Sequence, residues 1–112
     1  DWCTACEAEL PDFATVEDDL GDVVNFVHVN TQETGDWRRF MRLGTGDWPI
    51  AQDINGQQAG GSGLYESVTR AAGLRGMPVT AFYDASGRWV RTVGFLNEAE
   101  LRSIIRNDFG IG

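Results

Sequence analysis

Two cysteines follow a tryptophan near the start of the chain, Trp2-Cys3-Thr4-Ala5-Cys6, and the sequence holds no third with which either could pair. Two thiols three positions apart fit a dithiol redox centre. On the first turn of a helix the spacing brings both sulfurs together, where unsatisfied backbone N–H groups and the positive end of the helix dipole favour a thiolate. Cys3 is then the nucleophile and Cys6 the resolving thiol.

The residues that must position this pair read as a helix. Glu7, Ala8, Glu9 and Leu10 are good helix formers, and Leu10, Phe13, Val16 and Leu20 recur at helical spacing as a buried face. Pro11 removes one hydrogen bond, which predicts a bent helix running from the motif to about Asp19, ended by Gly21. Val23 to Val29 follows as a β-branched and aromatic run expected to form a strand buried on both faces. Asp36 is placed to cap a short helix through Trp37, Phe40, Met41 and Leu43, and Pro49, Ile50 and Ala51 suggest a brief strand.

Asn55 to Gly63 is Gly-rich and reads as a loop; it lacks the Gly-Lys-Ser/Thr ending of a phosphate-binding loop. Leu64 to Ala72 reads as a helix closed by Gly73. Val79 to Tyr83 and Trp89 to Val93 are expected to be antiparallel strands joined by the turn Asp84-Ala85-Ser86-Gly87. A last helix opens at Asn97, with Glu100 completing a capping-box variant, and buries Leu101, Ile104 and Ile105.

Composition bounds the rest. The 112 residues, 42% hydrophobic, suffice for one α/β domain over residues 1–112 and are too few for two cores. No segment approaches the roughly 18 apolar residues of a membrane span. The net charge of −8 disfavours nucleic acid and anionic membrane surfaces as partners. All nine basic residues are arginine, which says nothing about chemistry.

A helix that begins at Cys-X-X-Cys, a βαβ half and a ββα half together match the plan of the thioredoxin fold, a mixed sheet flanked by helices. Trp2-Cys3-Thr4-Ala5-Cys6-Glu7-Ala8-Glu9-Leu10-Pro11 resembles the active-site stretch W-C-x-x-C-x-x-E-x-P of TlpA/ResA-like extracytoplasmic thiol-disulfide oxidoreductases. Far downstream, Gly76-Met77-Pro78-Val79-Thr80-Ala81-Phe82-Tyr83-Asp84 with Gly87 resembles the cis-proline strand and hairpin of the same family. Together the two motifs span nearly the whole chain.

The resemblance implies roles residue by residue. Cys3 attacks a substrate disulfide and Cys6 resolves the mixed disulfide. Pro78 is cis and packs on the sulfurs, keeping metal off the dithiol, while Met77 offers its backbone to an extended substrate. Glu9 matches the family's active-site glutamate, placed to raise thiol pKa values or relay a proton. Trp2 and Gly94 border the substrate groove. Thr4-Ala5 departs from the Gly-Pro of thioredoxin and from the Pro-containing pairs common in the family, so the direction of electron flow is open.

In the thioredoxin fold a central strand runs straight into the Trp-Cys motif. None precedes Asp1 here, so the expectation is a longer protein whose N-terminal strand, and a membrane anchor with it, lie upstream. The expected location is extracytoplasmic, on the periplasmic or outer face of the membrane.

Blander readings exist for each feature. The cysteines would also serve as a structural disulfide, and Glu9 as a solvated first-turn residue. Pro78 would also suit an ordinary trans turn, although a strand begins directly after it. Zinc is disfavoured, because a structural site needs four ligands and the chain offers two cysteines and the single histidine His28, expected in a buried strand. A copper-delivery domain needs a longer cysteine spacing, and the Pro-X-X-X-Thr-X-X-Cys pattern of peroxidases is absent. Trp37, Trp48 and Trp89 are expected in the core or at a groove rim.

The leading expectation is an enzyme that reduces disulfides of extracytoplasmic proteins, apocytochrome c being a family-typical substrate. It needs no cofactor and no metal, acts as a monomer, and draws electrons from a partner such as a membrane dithiol carrier. The alternatives are a disulfide-donating oxidant or isomerase, and a non-catalytic thioredoxin-like binding module.

Overall fold

The computed structural model describes residues 4–30, 50–52, 69–70, 72–74 and 78–112. In chain order the elements are α1 (Thr4–Leu20), β1 (His28–Asn30), β2 (Ile50–Gln52), β3 (Thr80–Tyr83), β4 (Trp89–Val93) and α2 (Glu98–Phe109). The expected helix at Asp36, the Gly-rich stretch, Trp37 and Trp48 lie outside the described residues.

Helix α1 forms where the apolar spacing predicts, with Leu10, Phe13 and Val16 buried and Pro11 inside it. Its end depends on a close approach. A Cβ on Gly21 would stand 2.6 Å from the Glu17 carbonyl, so a larger residue cannot make the 2.7 Å hydrogen bond from the Gly21 N–H to that carbonyl without moving the chain.

The expected strand Val23–Val29 is corrected to His28–Asn30. The chain spends the intervening N–H groups on finishing the helix: Val23 and Val24 both donate to the Leu20 carbonyl, at 3.0 and 2.9 Å. With that turn in place Val23 and Val27 are 63% and 56% exposed, whereas a strand buried on both faces was expected. β1 pairs in parallel with β2, His28 opposite Ile50 and Asn30 opposite Gln52. The brief strand expected at Pro49–Ala51 is thus present one residue later.

Of the expected helix Leu64–Ala72, residues Thr69, Arg70 and Ala72 are helical. It closes at Gly73 as expected: Gly73 donates to Arg70 and Leu74 to Thr69, the paired bonds of a Schellman ending.

β3 and β4 form an antiparallel hairpin with Thr80 opposite Val93 and a register irregularity at Phe82/Tyr83. Its turn is organised by Asp84, whose Oδ1 accepts from the Ser86 hydroxyl (2.6 Å), the Ser86 N–H (2.9 Å) and the Arg88 N–H (3.0 Å). Trp89, expected in the core or at a groove rim, is exposed on this hairpin and so outside the core; its indole N–H donates to the Thr92 hydroxyl at 2.7 Å. Among the described residues the strands make two separate two-stranded sheets, one parallel and one antiparallel.

Helix α2 starts with the capping box that Asn97 and Glu100 predict. The Asn97 side chain accepts the Glu100 N–H at 2.8 Å and the Glu100 carboxylate accepts the Asn97 N–H at 3.0 Å. It ends at Gly110, whose φ of 69° is left-handed, with its N–H donating to the Arg106 carbonyl.

The core joins both helices to the hairpin. Phe13 and Val16 of α1, Leu96 before α2, and Leu101 and Ile105 within it form one buried cluster, with Leu20, Val24, Phe26, Phe82, Val93, Ile104 and Ile111 packed around it. Ile104, expected to be buried, is at its margin. Phe82 stacks on Phe109 with ring centroids 6.2 Å apart. Ion pairs reinforce the same joints: Arg91 with Asp108 links β4 to α2, and Arg102 bridges Asp19 at the end of α1 and Glu98 on its own helix.

Candidate functional site: the N-terminal turns of α1

Cys6 lies in the first turns of α1, half-buried and disulfide-bonded. The sequence contains one other cysteine, Cys3, which with Trp2 and Met77 falls outside the described residues.

One helical turn beyond Cys6 stands Glu9, 7% exposed and flanked by the buried Leu10 and Phe13. A carboxylate in that setting loses its water, and burial pushes its pKa up from 4.5 to about 7. Two weaker influences act on it. The Leu96 N–H, donating to Glu9 Oε2 at 2.9 Å, favours the charged form, and the negative charge of Asp12 opposes it. Glu9 therefore changes charge near neutrality inside the molecule, which excludes the reading of it as a solvated first-turn residue.

The partner of Glu9 comes from the segment that leaves β4. Gly94 follows the strand, Phe95 projects into solvent, and Leu96 turns inward to place its N–H on Glu9. Two residues on, the Glu98 N–H donates to Asp12 Oδ2 at 3.0 Å. Pro78 is buried just before β3, and a Cβ built on Gly94 would meet the Pro78 carbonyl at 3.9 Å. Gly94 and Pro78 are thus neighbours across the start of the hairpin. That distance is ordinary contact, so among the described residues nothing inside the molecule demands glycine at 94.

The structure thereby joins two of the expected site residues, Pro78 and Gly94, and ties a third, Glu9, to the segment that begins at Gly94.

No protein-family model matches the chain, and no curated protein matches it.

Sequence reasoning missed Asp12 and the Leu96–Glu98 segment. A signal for the burial of Glu9 was present: residues 9, 13, 16 and 20 advance by four, three and four, which sets Glu9 in the same stripe as Phe13, Val16 and Leu20. An acid inside an apolar stripe is a buried acid. Among the described residues no group of acids, histidine and cysteine is arranged to hold a metal ion, and no helix is long and apolar enough to cross a membrane.

Proposed function

We propose that the chain is a thioredoxin-fold thiol-disulfide oxidoreductase working through Cys3 and Cys6. The observation that carries the reading is the pairing of a disulfide-bonded Cys6 in the opening turns of a helix with a buried carboxyl, Glu9, one turn on and poised near pH 7. A disulfide that only stapled the chain would need no proton-exchanging group beside it. Dithiol exchange does need one, because a thiol reacts only after it loses its proton.

Acting as a reductant, the Cys3 thiolate attacks a substrate disulfide; one substrate sulfur becomes bonded to Cys3 and the other leaves as a thiolate that takes a proton from solvent. The Cys6 thiol passes its proton to the Glu9 carboxylate and attacks the Cys3 sulfur. This closes the Cys3–Cys6 bond and releases the second substrate sulfur, to be protonated in turn. Two electrons move from the protein dithiol to the substrate. On this reading, which for Trp2 and Met77 rests on the sequence motifs, Trp2, Pro78 and Gly94 border the groove for the substrate chain and Met77 offers it its backbone.

We further propose an extracytoplasmic setting, a protein disulfide as substrate and a membrane dithiol carrier as electron source; these rest on the W-C-x-x-C-x-x-E-x-P pattern.

The test is the reduction potential of the cysteine pair, measured by equilibration in defined thiol buffers, together with the exchange activity of Cys3→Ser. A potential near or below about −250 mV marks a reductant, and one near about −120 mV marks an oxidant that donates disulfides. A pair with no reversible couple, or a Cys3→Ser protein that exchanges as fast as the parent, would leave a non-catalytic binding module.

A further inference from the structure

Glu9 and Asp12 are one turn apart on α1, and each accepts a backbone N–H from the same short segment: Leu96 to Glu9 at 2.9 Å and Glu98 to Asp12 at 3.0 Å. Neither bond is local, since the partners are 87 and 86 positions apart in sequence. The acceptors are three residues apart on the helix and the donors two apart on the segment, so the two carboxyls grip the chain at two points with Asn97 between them.

The two contacts are chemically unequal. Glu98 is the first residue of α2, and its N–H is among those with no partner inside that helix; a carboxylate there is favoured by the positive end of the helix dipole. Leu96 lies before the helix and donates to an acid that has been stripped of water. We infer that Asp12 is a positioning residue for Glu9: it anchors the start of α2, thereby setting the Leu96 N–H on the Glu9 carboxyl, and it stands with its own negative charge one turn from that carboxyl.

The charges around Glu9 leave this role to Asp12. On α1, Glu7 lies two residues back and so on a different face of the helix. From α2, the Glu98 carboxylate is engaged by Arg102 at 3.0 Å, and the same guanidinium holds Asp19 at 2.7 Å. Among the described residues Asp12 is the charged group to which Glu9 responds. As a statement about disulfide exchange the inference rests on the function proposed above; as a statement about the Glu9 proton it does not.

The experiment separates the two. Carbon-13 NMR of the glutamate side chains follows the Glu9 titration in the whole protein without any substrate, in parallel with the pH dependence of exchange with a small disulfide. Asp12→Asn keeps an acceptor oxygen for the Glu98 N–H and removes the charge. It is expected to lower the Glu9 midpoint by about half a pH unit or more, with the Glu98 amide resonance nearly unmoved. Asp12→Ala is expected to lower the midpoint and also to shift the Glu98 and Leu96 amides. The exchange profile should move with the Glu9 midpoint, and on a Glu9→Gln background Asp12→Asn should leave that profile unchanged.

A Glu9 midpoint unmoved in Asp12→Asn overturns the inference, whether or not Asp12→Ala folds. A midpoint that moves while the exchange profile stays still removes Asp12 from the reaction. If the parent protein exchanges no disulfide but the midpoint moves, the oxidoreductase reading falls and the control of the Glu9 proton by Asp12 stands.

Discussion

The carboxylate of Glu9 accepts the backbone N–H of Leu96 at 2.9 Å, binding the helix that carries Cys6 to the segment that leaves the hairpin. The pKa of Glu9 near 7 follows from the place this contact holds it, and stability must then depend on pH with a particular sign. An acid whose folded pKa is raised binds a proton more readily in the folded state than in the unfolded chain. Acidification from about pH 7 toward 4.5 therefore stabilises the fold through this group, and raising the pH through 7 removes that contribution. Glu9→Gln keeps an oxygen for the Leu96 N–H and never ionises. The variant should be more stable than the parent above pH 7, by on the order of 2 kcal/mol, and the two should converge below pH 4.5 in denaturant titrations.

Leu101 is 1% exposed where both helices meet the hairpin residues. Leu101→Ala should lower the unfolding free energy by about 2–5 kcal/mol, since the neighbours relax only partly into the space left. Urea denaturation at fixed pH reads the loss; a change under about 1 kcal/mol would mean the cluster does not carry the stability assigned to it.

Asn97 and Glu100 satisfy each other's backbone N–H groups. Asn97→Ala should cost about 1 kcal/mol, and Glu100→Ala should add little on top because the two bonds form one unit. A double-mutant cycle checks this, with strict additivity the contrary result.

Asp84 is held below the usual carboxylate range, chiefly by the Ser86 hydroxyl and then by the Arg88 N–H. A depressed acid lends stability above its unfolded pKa and loses it as the pH falls through the folded one. The Ser86 and Arg88 amide resonances should therefore move together with Asp84 protonation, below the ordinary aspartate range. Asp84→Ala should displace both at neutral pH; amides indifferent to the substitution would count against the turn described.

What was legible in the sequence was local. The apolar spacing of Leu10, Phe13 and Val16, the Asn97–Glu100 box and the Asp84–Gly87 turn that pairs Trp89–Val93 with the strand before it act over a few residues, and each element appears where it was expected. The strand expected from Val23 failed for a reason that composition does not carry. Apolar β-branched residues directly after a helix still have to complete that helix's last hydrogen bonds, and the N–H groups of Val23 and Val24 were committed to Leu20. The site divides the same way. The cysteine spacing is plain to read, and the stripe that Glu9 shares with Phe13 and Val16 marks its burial, while its hydrogen-bond partner Leu96 is 87 residues away and no local pattern announces it.

Three side-chain bonds that fix α1 reach far along the chain: Glu9 to Leu96, Asp12 to Glu98 and Asp19 to Arg102 are 87, 86 and 83 positions apart. Whatever the full length of the protein, Glu9 is therefore synthesised 87 residues before the N–H that it binds. Over that interval the acid next to Cys6 is not yet covered by the Leu96 segment. Closing so long a loop makes late docking of α2 the event that buries Glu9 beside Cys6.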